Sequence, residues 1–413
     1  MELLHVASLE KAREMLMDRS RDFVLKTERI SVRDACGRVL AAAVRSGEDV
    51  PSFSRSTVDG YAVFAEDTHG ATESIPAFLN VVEEIVMGKS PEKKIARGQC
   101  SYVPTGGMLP DGANAVVMVE QTELLDEATT AVYGTVAPGQ NVIRKGEDVK
   151  KDAILLERGS RLSAPQLGVL AGAGVEQVEV FCPVRAVIFS TGDELIPPGQ
   201  SVLPGQVYDI NSYTLMAAGM EMGMEIVKVG SLPDRYDEIR EAVKDAMGRA
   251  DIVLTSGGSS KGKKDMTSKI FEELASPGVF VHGLAVRPGK PTILATDDET
   301  GTILAGLPGH PSAALMIMEQ TIGWYLRERM GIAEPVPVYA AITTNLANMP
   351  GRTSFQPVEL FRENGALYAR PILGKSGLIS PMCRADGYII LERANEGVAK
   401  GEQVAVYRFA ART

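Results

Sequence analysis

Ile252-Val253-Leu254-Thr255-Ser256-Gly257-Gly258 runs an apolar, β-branched stretch straight into small residues. It reads as a buried strand over 252–255 that ends in a loop whose backbone is accessible. Working outward, 186–189 and 225–229 read as strands, with helices over 212–223 and 236–247. Beyond the central stretch come a helix over 267–274, a strand over 302–304 and a helix over 312–330. Strands that alternate with helices predict a parallel sheet covered on both faces. Ligands of such sheets bind beyond the carboxyl ends of the strands.

Three strand ends carry unusual residues: Ser190-Thr191-Gly192-Asp193-Glu194, Ser256-Gly257-Gly258-Ser259-Ser260-Lys261-Gly262 with Asp265, and Leu307-Pro308-Gly309-His310-Pro311. Small residues there let backbone N–H groups approach an anion, and the following helix N-terminus favours negative charge. Corners of α/β folds use Gly and Ser in any case, but three such loops on one edge point to a phosphate-bearing ligand. Gly257 to Lys264 comes one residue short of a P-loop; Lys264 stands where a Mg²⁺-holding Ser or Thr is needed, which argues against a P-loop NTPase. Glu194, Asp234 and Asp265 fall at the same edge and suit Mg²⁺, which takes one or two carboxylates plus substrate oxygens; Asp234 also fits the role of helix N-cap. Val286-Arg287-Pro288-Gly289-Lys290-Pro291 sets two cations on a stiff turn, preorganised for an oxyanion.

The flanks differ in character. Val6, Leu9, Ala12 and Leu16 share one face of a helix over 6–19 that Ser8 can cap. Residues 48–150 read as short strands and turns, and a helix returns over 163–171 behind Ser163 and Pro165. After Pro335-Val336-Pro337 the helical signal stops, and short strands over 388–391 and 403–407 predict a small all-β unit.

The net charge is −10, which argues against general nucleic-acid binding. No run of about 18 or more apolar residues is present, so no membrane-spanning helix is expected. The first residues lack the basic region and apolar core of a signal peptide, which predicts a cytoplasmic protein. The 4 cysteines and 4 histidines show neither paired nor metal-ligand spacing.

In order along the chain, Asp59-Gly60-Tyr61-Ala62, Pro104-Thr105-Gly106, Ala113-Asn114-Ala115-Val116-Val117 and Arg144-Lys145-Gly146-Glu147-Asp148 precede the three strand ends and Pro288-Gly289-Lys290-Pro291. The ordered set resembles the molybdopterin molybdenumtransferase family, which includes bacterial MoeA and the E-domain of gephyrin. The resemblance implies a multidomain α/β plus β fold. Residues 27–47 and 152–183 would form a discontinuous linker domain, with 48–151 inserted as a β-rich domain. Residues 1–26 and 184–331 would form a doubly wound α/β pterin-binding domain, and 335–413 a C-terminal small β-barrel.

The resemblance also implies a molybdenum insertase, which transfers molybdate to adenylylated molybdopterin with Mg²⁺-dependent release of AMP. It implies a homodimer whose site lies between the α/β domain and the partner's inserted domain, supplied by an adenylyltransferase. Asp59, Thr105, Asp148, Glu194, Asp234 and Asp265 would be catalytic, the last three of them holding Mg²⁺. Ser190, Thr191, Gly192, Ser256, Gly257, Gly258 and Lys261 would bind substrate, and Arg287, Lys290, Pro291, Arg352 and Ser376 the oxyanion. His310 stands where the family has Asn, Gly283 and Arg287 where it has Lys, and Lys261, Lys263 and Lys264 are additional cations. Tungstate matches molybdate in size and charge, so a tungstate-preferring insertase stays open. So do an adenylyltransferase of the same α/β fold and a non-catalytic scaffold.

Overall fold

The computed structural model describes residues 6–257, 264–374, 377–378 and 380–409, with the backbone alone at 264, 265 and 381. Its centre is a six-stranded sheet in the order Glu225–Leu232, Arg185–Thr191, Ile252–Gly257, Thr302–Leu307, Ile293–Asp297, Pro277–His282. The first four strands are parallel, as expected. Ile293–Asp297 runs against them, and Pro277–His282 pairs antiparallel with it, which corrects the all-parallel expectation. The cause is the short connection from Asp297 to Thr302: it holds a turn in which Asp297 Oδ2 accepts from Thr300 N at 2.9 Å, and a parallel crossover needs about a dozen residues.

Successive residues of the inner strands serve two cores. Ala186, Ile188, Ile252, Leu254, Ile303 and Ala305 pack on one side with Leu215, Ile317 and Tyr325. Val187, Phe189, Val253 and Leu304 pack on the other with Ile239, Val243, Ile270 and Phe271. Helices Asn211–Glu221 and Pro311–Met318 cover the first face, and Tyr236–Met247 and Lys264–Leu274 the second, so the sheet is doubly wound. The period of two in a strand sends neighbours to opposite faces, which is why these runs are apolar throughout.

The helix Leu9–Arg19 joins the first core through Leu9, Ala12 and Leu16. Ser8 Oγ caps it by accepting from Lys11 N at 3.2 Å. Val6 precedes the helix and is exposed, so it is not part of the buried stripe. Arg13 Nε donates to the Gln320 carbonyl at 2.9 Å, and its guanidinium lies 4.9 Å from the centroid of Trp324. The expected single helix over 312–330 is Pro311–Met318, a wide π turn over Glu319–Gly323, and Trp324–Met330.

Strand Thr27–Ser31 pairs antiparallel with Gln177–Phe181, and Val44–Arg45 with Ile154–Leu156. Between these pairings lies a sheet in the order Ala115–Met118, Gly60–Val63, Gln99–Val103, Ala77–Glu84, Thr129–Val132, Thr122–Leu124. Gly60 opens its strand and lies so close to Val117 that a Cβ would sit 1.9 Å from the Val117 carbonyl oxygen. The glycine beside Asp59 is thus a packing requirement within a strand as well as a turn signal.

Strands Val338–Ile342, Thr353–Glu363, Ala366–Pro371, Gly387–Leu391 and Gln403–Arg408 close into a barrel around Ile342, Val358, Ala369, Ile389 and Val406. The two-residue strand Val286–Arg287 adds to it, parallel to Thr353–Ser354. No helix among the described residues is long and apolar enough to cross a membrane.

Candidate active site

The carboxyl ends of three parallel strands lie side by side, with Ser190 opposite Ser256, Thr191 opposite Gly257, and Ser256 opposite Leu307. Beyond them opens a cavity of about 460 Å³. Ser190, Thr191, Glu194, Asp234, Ser256 and Gly257 line it, together with Tyr208, Asp209, Asn211, Gly309, His310 and Gly377. Gly257 has φ +129°, and a Cβ there would sit 2.2 Å from the Thr191 carbonyl oxygen. Only glycine fits, so the two strand ends can converge under the cavity. Gly192 leaves room for the carboxylate of Glu194, whose Oε1 lies 2.8 Å from where a Gly192 Cβ would be.

A buried polar network braces this floor. Asn211 Nδ2 donates to Ser256 Oγ at 2.8 Å and to the Gly309 carbonyl at 2.9 Å. Ser256 Oγ in turn donates to the Pro308 carbonyl at 2.9 Å. Ser190 Oγ and Ser212 Oγ share a hydrogen bond of 3.0 Å, and Asp209 Oδ1 caps the helix Asn211–Glu221 by accepting from Ser212 N at 3.1 Å. One asparagine therefore ties together two of the strand-end loops and the start of a helix. Helices Asn211–Glu221 and Pro311–Met318 both begin at the cavity, and helix N-termini favour anions. Small hydroxyl residues, two helix starts and two carboxylates form a site suited to a phosphate ester with a hard cation.

Three family models match the chain in sequence: the MoeA N-terminal region (domain I and II) over 7–174, a probable molybdopterin binding domain over 187–328, and the MoeA C-terminal region (domain IV) over 339–409. A molybdopterin molybdenumtransferase of Haemophilus influenzae is 31% identical over 97% of this chain and 98% of its own. One of Nostoc is 36% identical over 75% of this chain and 72% of its own. The chain belongs to the molybdopterin molybdenumtransferase family. Two crystal structures of the molybdopterin biosynthesis MoeA protein of Pyrococcus horikoshii superpose with TM-scores of 0.80 and 0.82 at 34% and 29% identity. Each covers 98% of this chain, and 99% and 100% of the Pyrococcus chains. The protein is thus an enzyme of the molybdenumtransferase type, with a role in molybdenum cofactor biosynthesis.

The expected site residues fall into separate groups. Ser190, Thr191, Glu194, Asp234, Ser256 and Gly257 meet at the cavity, with Gly192 between two of them. Asp234 is not the cap of helix Tyr236–Met247; Arg235 holds that position, and the Asp234 N–H donates to Asp193 Oδ1 at 3.0 Å. Gly258, Lys261, Ser376 and the side chain of Asp265 lie outside the described residues. Gly377, the neighbour of Ser376, does line the cavity, so the C-terminal region reaches it. Among the described residues no three His, Cys, Asp or Glu side chains cluster as a metal site.

The cations stand apart from the cavity. Arg287 and Lys290 are exposed on the turn that continues strand Val286–Arg287. That turn is pinned from below, because a Cβ on Gly289 would sit 2.3 Å from Ile317 Cδ1. Lys290 closes it by accepting, through its carbonyl, from Leu284 N at 2.9 Å, and Pro291 follows. Arg352 directly precedes Thr353, which is paired with Val286, so Arg352 stands just ahead of the strand that adjoins Arg287. Gly283 has φ +109°, a conformation that a lysine side chain disfavours.

Asp59, Thr105 and Asp148 do not line the cavity of their own chain. Asp59 and Thr105 do meet: Asp59 Oδ1 accepts from Thr105 N at 2.6 Å and from Thr105 Oγ1 at 2.9 Å. These bonds, the backbone one foremost, hold the Asp59 carboxyl below the usual carboxylate range. Asp148 is exposed, and its N–H donates to the Val50 carbonyl at 3.1 Å. The reading from sequence missed Tyr208, Asp209 and Asn211. The signal was Asp209, an Asx residue just ahead of the helix, which marks a cap and hence a helix start at the ligand edge.

Proposed function

We propose that this enzyme inserts molybdate into adenylylated molybdopterin, with Mg²⁺-dependent release of AMP. The observation that carries the reading is the joint placement of Glu194 and Asp234 with the strand ends Ser190–Thr191 and Ser256–Gly257 around one cavity. A phosphoanhydride fits the anion-ready backbone, and the two carboxylates fit Mg²⁺ completed by phosphate oxygens. When bound, Mg²⁺ would supply charge stabilisation on the phosphate that leaves. Glu194 and Asp234 would hold it, with Asp265 as a third ligand. Ser190, Thr191, Gly192, Ser256, Gly257, Gly258 and Lys261 would hold the phosphate and orient the pterin.

Molybdate is a dianion, and the exposed cations Arg287 and Lys290, with Arg352 just ahead of the adjoining strand and Ser376, the sequence neighbour of Gly377, would gather it. Asp59, Thr105 and Asp148 lie outside the cavity of their own chain. A homodimer in which the partner brings its own copies of these residues would use them. Within this reading the chain divides into 27–47 with 152–183, an insertion over 48–151, 1–26 with 184–331, and 335–413. An adenylyltransferase would supply the substrate.

The test is AMP release from adenylylated molybdopterin, with and without Mg²⁺ and molybdate, beside a tungstate arm. Release that needs both the cation and an oxyanion supports the reading, and the tungstate arm sets the metal preference. Absence of release with the pterin still bound would turn the assignment to a carrier or scaffold.

A further inference from the structure

Part of the cavity lining comes from a flap. Leu195–Ile196 and Val207–Tyr208 form a short parallel pair, and 197–206 loops between them. The flap holds itself in shape. Val207 N donates to the Glu194 carbonyl at 2.9 Å, Asp209 N to the Ile196 carbonyl at 2.9 Å, and Gln206 N to the Leu203 carbonyl at 3.0 Å. Tyr208 spends its hydroxyl on the Gln200 carbonyl at 2.9 Å. The ring is thus fixed across the loop, one residue from the helix-capping Asp209 and on a strand hydrogen-bonded to Glu194. It is nevertheless 43% exposed, beside Val207 at 51%.

Isolated exposed apolar residues are ordinary. Here Leu195, Val207 and Tyr208 line one cavity with Ser190, Thr191 and Ser256, so the cavity has an apolar and a polar wall. Such a cavity matches a ligand with a flat apolar part and an anionic part. An anchored tyrosine loses little freedom when a ring stacks on it.

We propose that Tyr208 is the stacking platform for a planar nitrogen heterocycle of the substrate, seated so that the phosphate attached to it reaches the strand ends. This rests on the insertase reading for the presence of such a ring. The pterin and the adenine of the adenylylated substrate share that chemistry. The platform makes Tyr208 a determinant of which phosphate esters the cavity accepts, with ribose phosphate lacking a base as a poor ligand.

The experiment is equilibrium binding of AMP and, separately, of a pterin monophosphate to the full chain and to Tyr208→Leu and Tyr208→Phe, without molybdate. Loss of a stacked ring is expected to weaken binding roughly 5- to 150-fold in Tyr208→Leu for the ring that lies there. Tyr208→Phe should restore it, and the absorbance of the bound ring should show hypochromism in wild type and Phe but not in Leu. Affinities unchanged in Tyr208→Leu for both ligands overturn the proposal. So does a Phe variant as weak as Leu, which would assign the effect to the hydroxyl latch on Gln200. A ring effect without AMP release would overturn the insertase reading alone, whereas AMP release with unchanged affinities would overturn the platform alone.

Discussion

Gly257 rests on Thr191 so closely that a methyl group at its α-carbon would sit 2.2 Å from the Thr191 carbonyl and 2.8 Å from its hydroxyl. Gly257→Ala must therefore either part the two strand ends or fail to adopt φ +129°. Both cost free energy, together about 2–4 kcal/mol. The denaturant midpoint should fall with the m-value unchanged, and AMP release should fall with it. A midpoint equal to wild type would mean that the strands separate freely.

Glu194 and Asp234 share the cavity with the anion-binding strand ends, so Glu194→Gln and Asp234→Asn keep size while removing charge. AMP release should drop on the order of 100-fold in each, and the Mg²⁺ concentration for half-maximal rate should rise. Titrating Mg²⁺ against rate separates this from a folding defect, because a misfolded fraction lowers the rate at every Mg²⁺ concentration without moving the midpoint.

Thr105 holds the Asp59 carboxyl below its ordinary range through two donors. The folded pKa is depressed, so the stabilisation is complete above the unfolded value of about 3.9 and is lost as pH falls through the folded one. Thr105→Val removes the hydroxyl donor and keeps the backbone donor. The Asp59 carboxyl should then titrate at higher pH by carbon-detected NMR. An unchanged titration would show that the backbone N–H alone sets it.

Gln320 is buried in the π turn, and its Nε2 donates to the Tyr388 hydroxyl at 2.7 Å, which joins the last helical segment to the barrel. Burial pushes the Tyr388 phenol up to about 12. Raised above its unfolded value of about 10, it contributes stability below that pH which is lost as pH climbs through the folded value. Tyr388→Phe should cost about 1–3 kcal/mol near neutrality by leaving the amide without an acceptor. It should also flatten the loss of melting temperature on the alkaline side. An alkaline slope identical to wild type would place the titration elsewhere.

Much of this architecture can be read from residue order, and the exceptions have physical causes. Helix Tyr236–Met247 has the bounds that its pattern predicts, and Ser163 begins Ala164–Gly172 with a capping box. Local signals suffice where caps and periodicity coincide. Strands Pro277–His282 and Ile293–Asp297 escape such reading. Pro277, Gly278 and Pro291 look like breakers, and pairing with Thr302–Leu307 on one side and Pro277–His282 on the other makes a strand of 293–297. At the site, the loops at 190–194 and 256–257 announce themselves because accessible strand ends require small residues. Asn211 does not, since its importance lies in joining Ser256 to Gly309, two partners far away in sequence. The cations at 287 and 290 were visible as a stiff turn, but their position outside the cavity follows from the barrel strand beside them.

The N-terminal helix has a consequence for the order in which the protein is made. Leu9, Ala12 and Leu16 are made well before Val281, Leu284, Tyr325 and Leu326, which share their core. At roughly 5–20 residues per second, the intervening 300 or so residues take about 15–60 s to translate. Throughout that interval the core that covers the apolar stripe of Leu9–Arg19 is incomplete, and Arg13 has neither Gln320 nor Trp324 to meet. Nascent chains that stop short of Tyr325 therefore display an incompletely covered helix, and this segment is a natural place for a chaperone to hold the growing polypeptide.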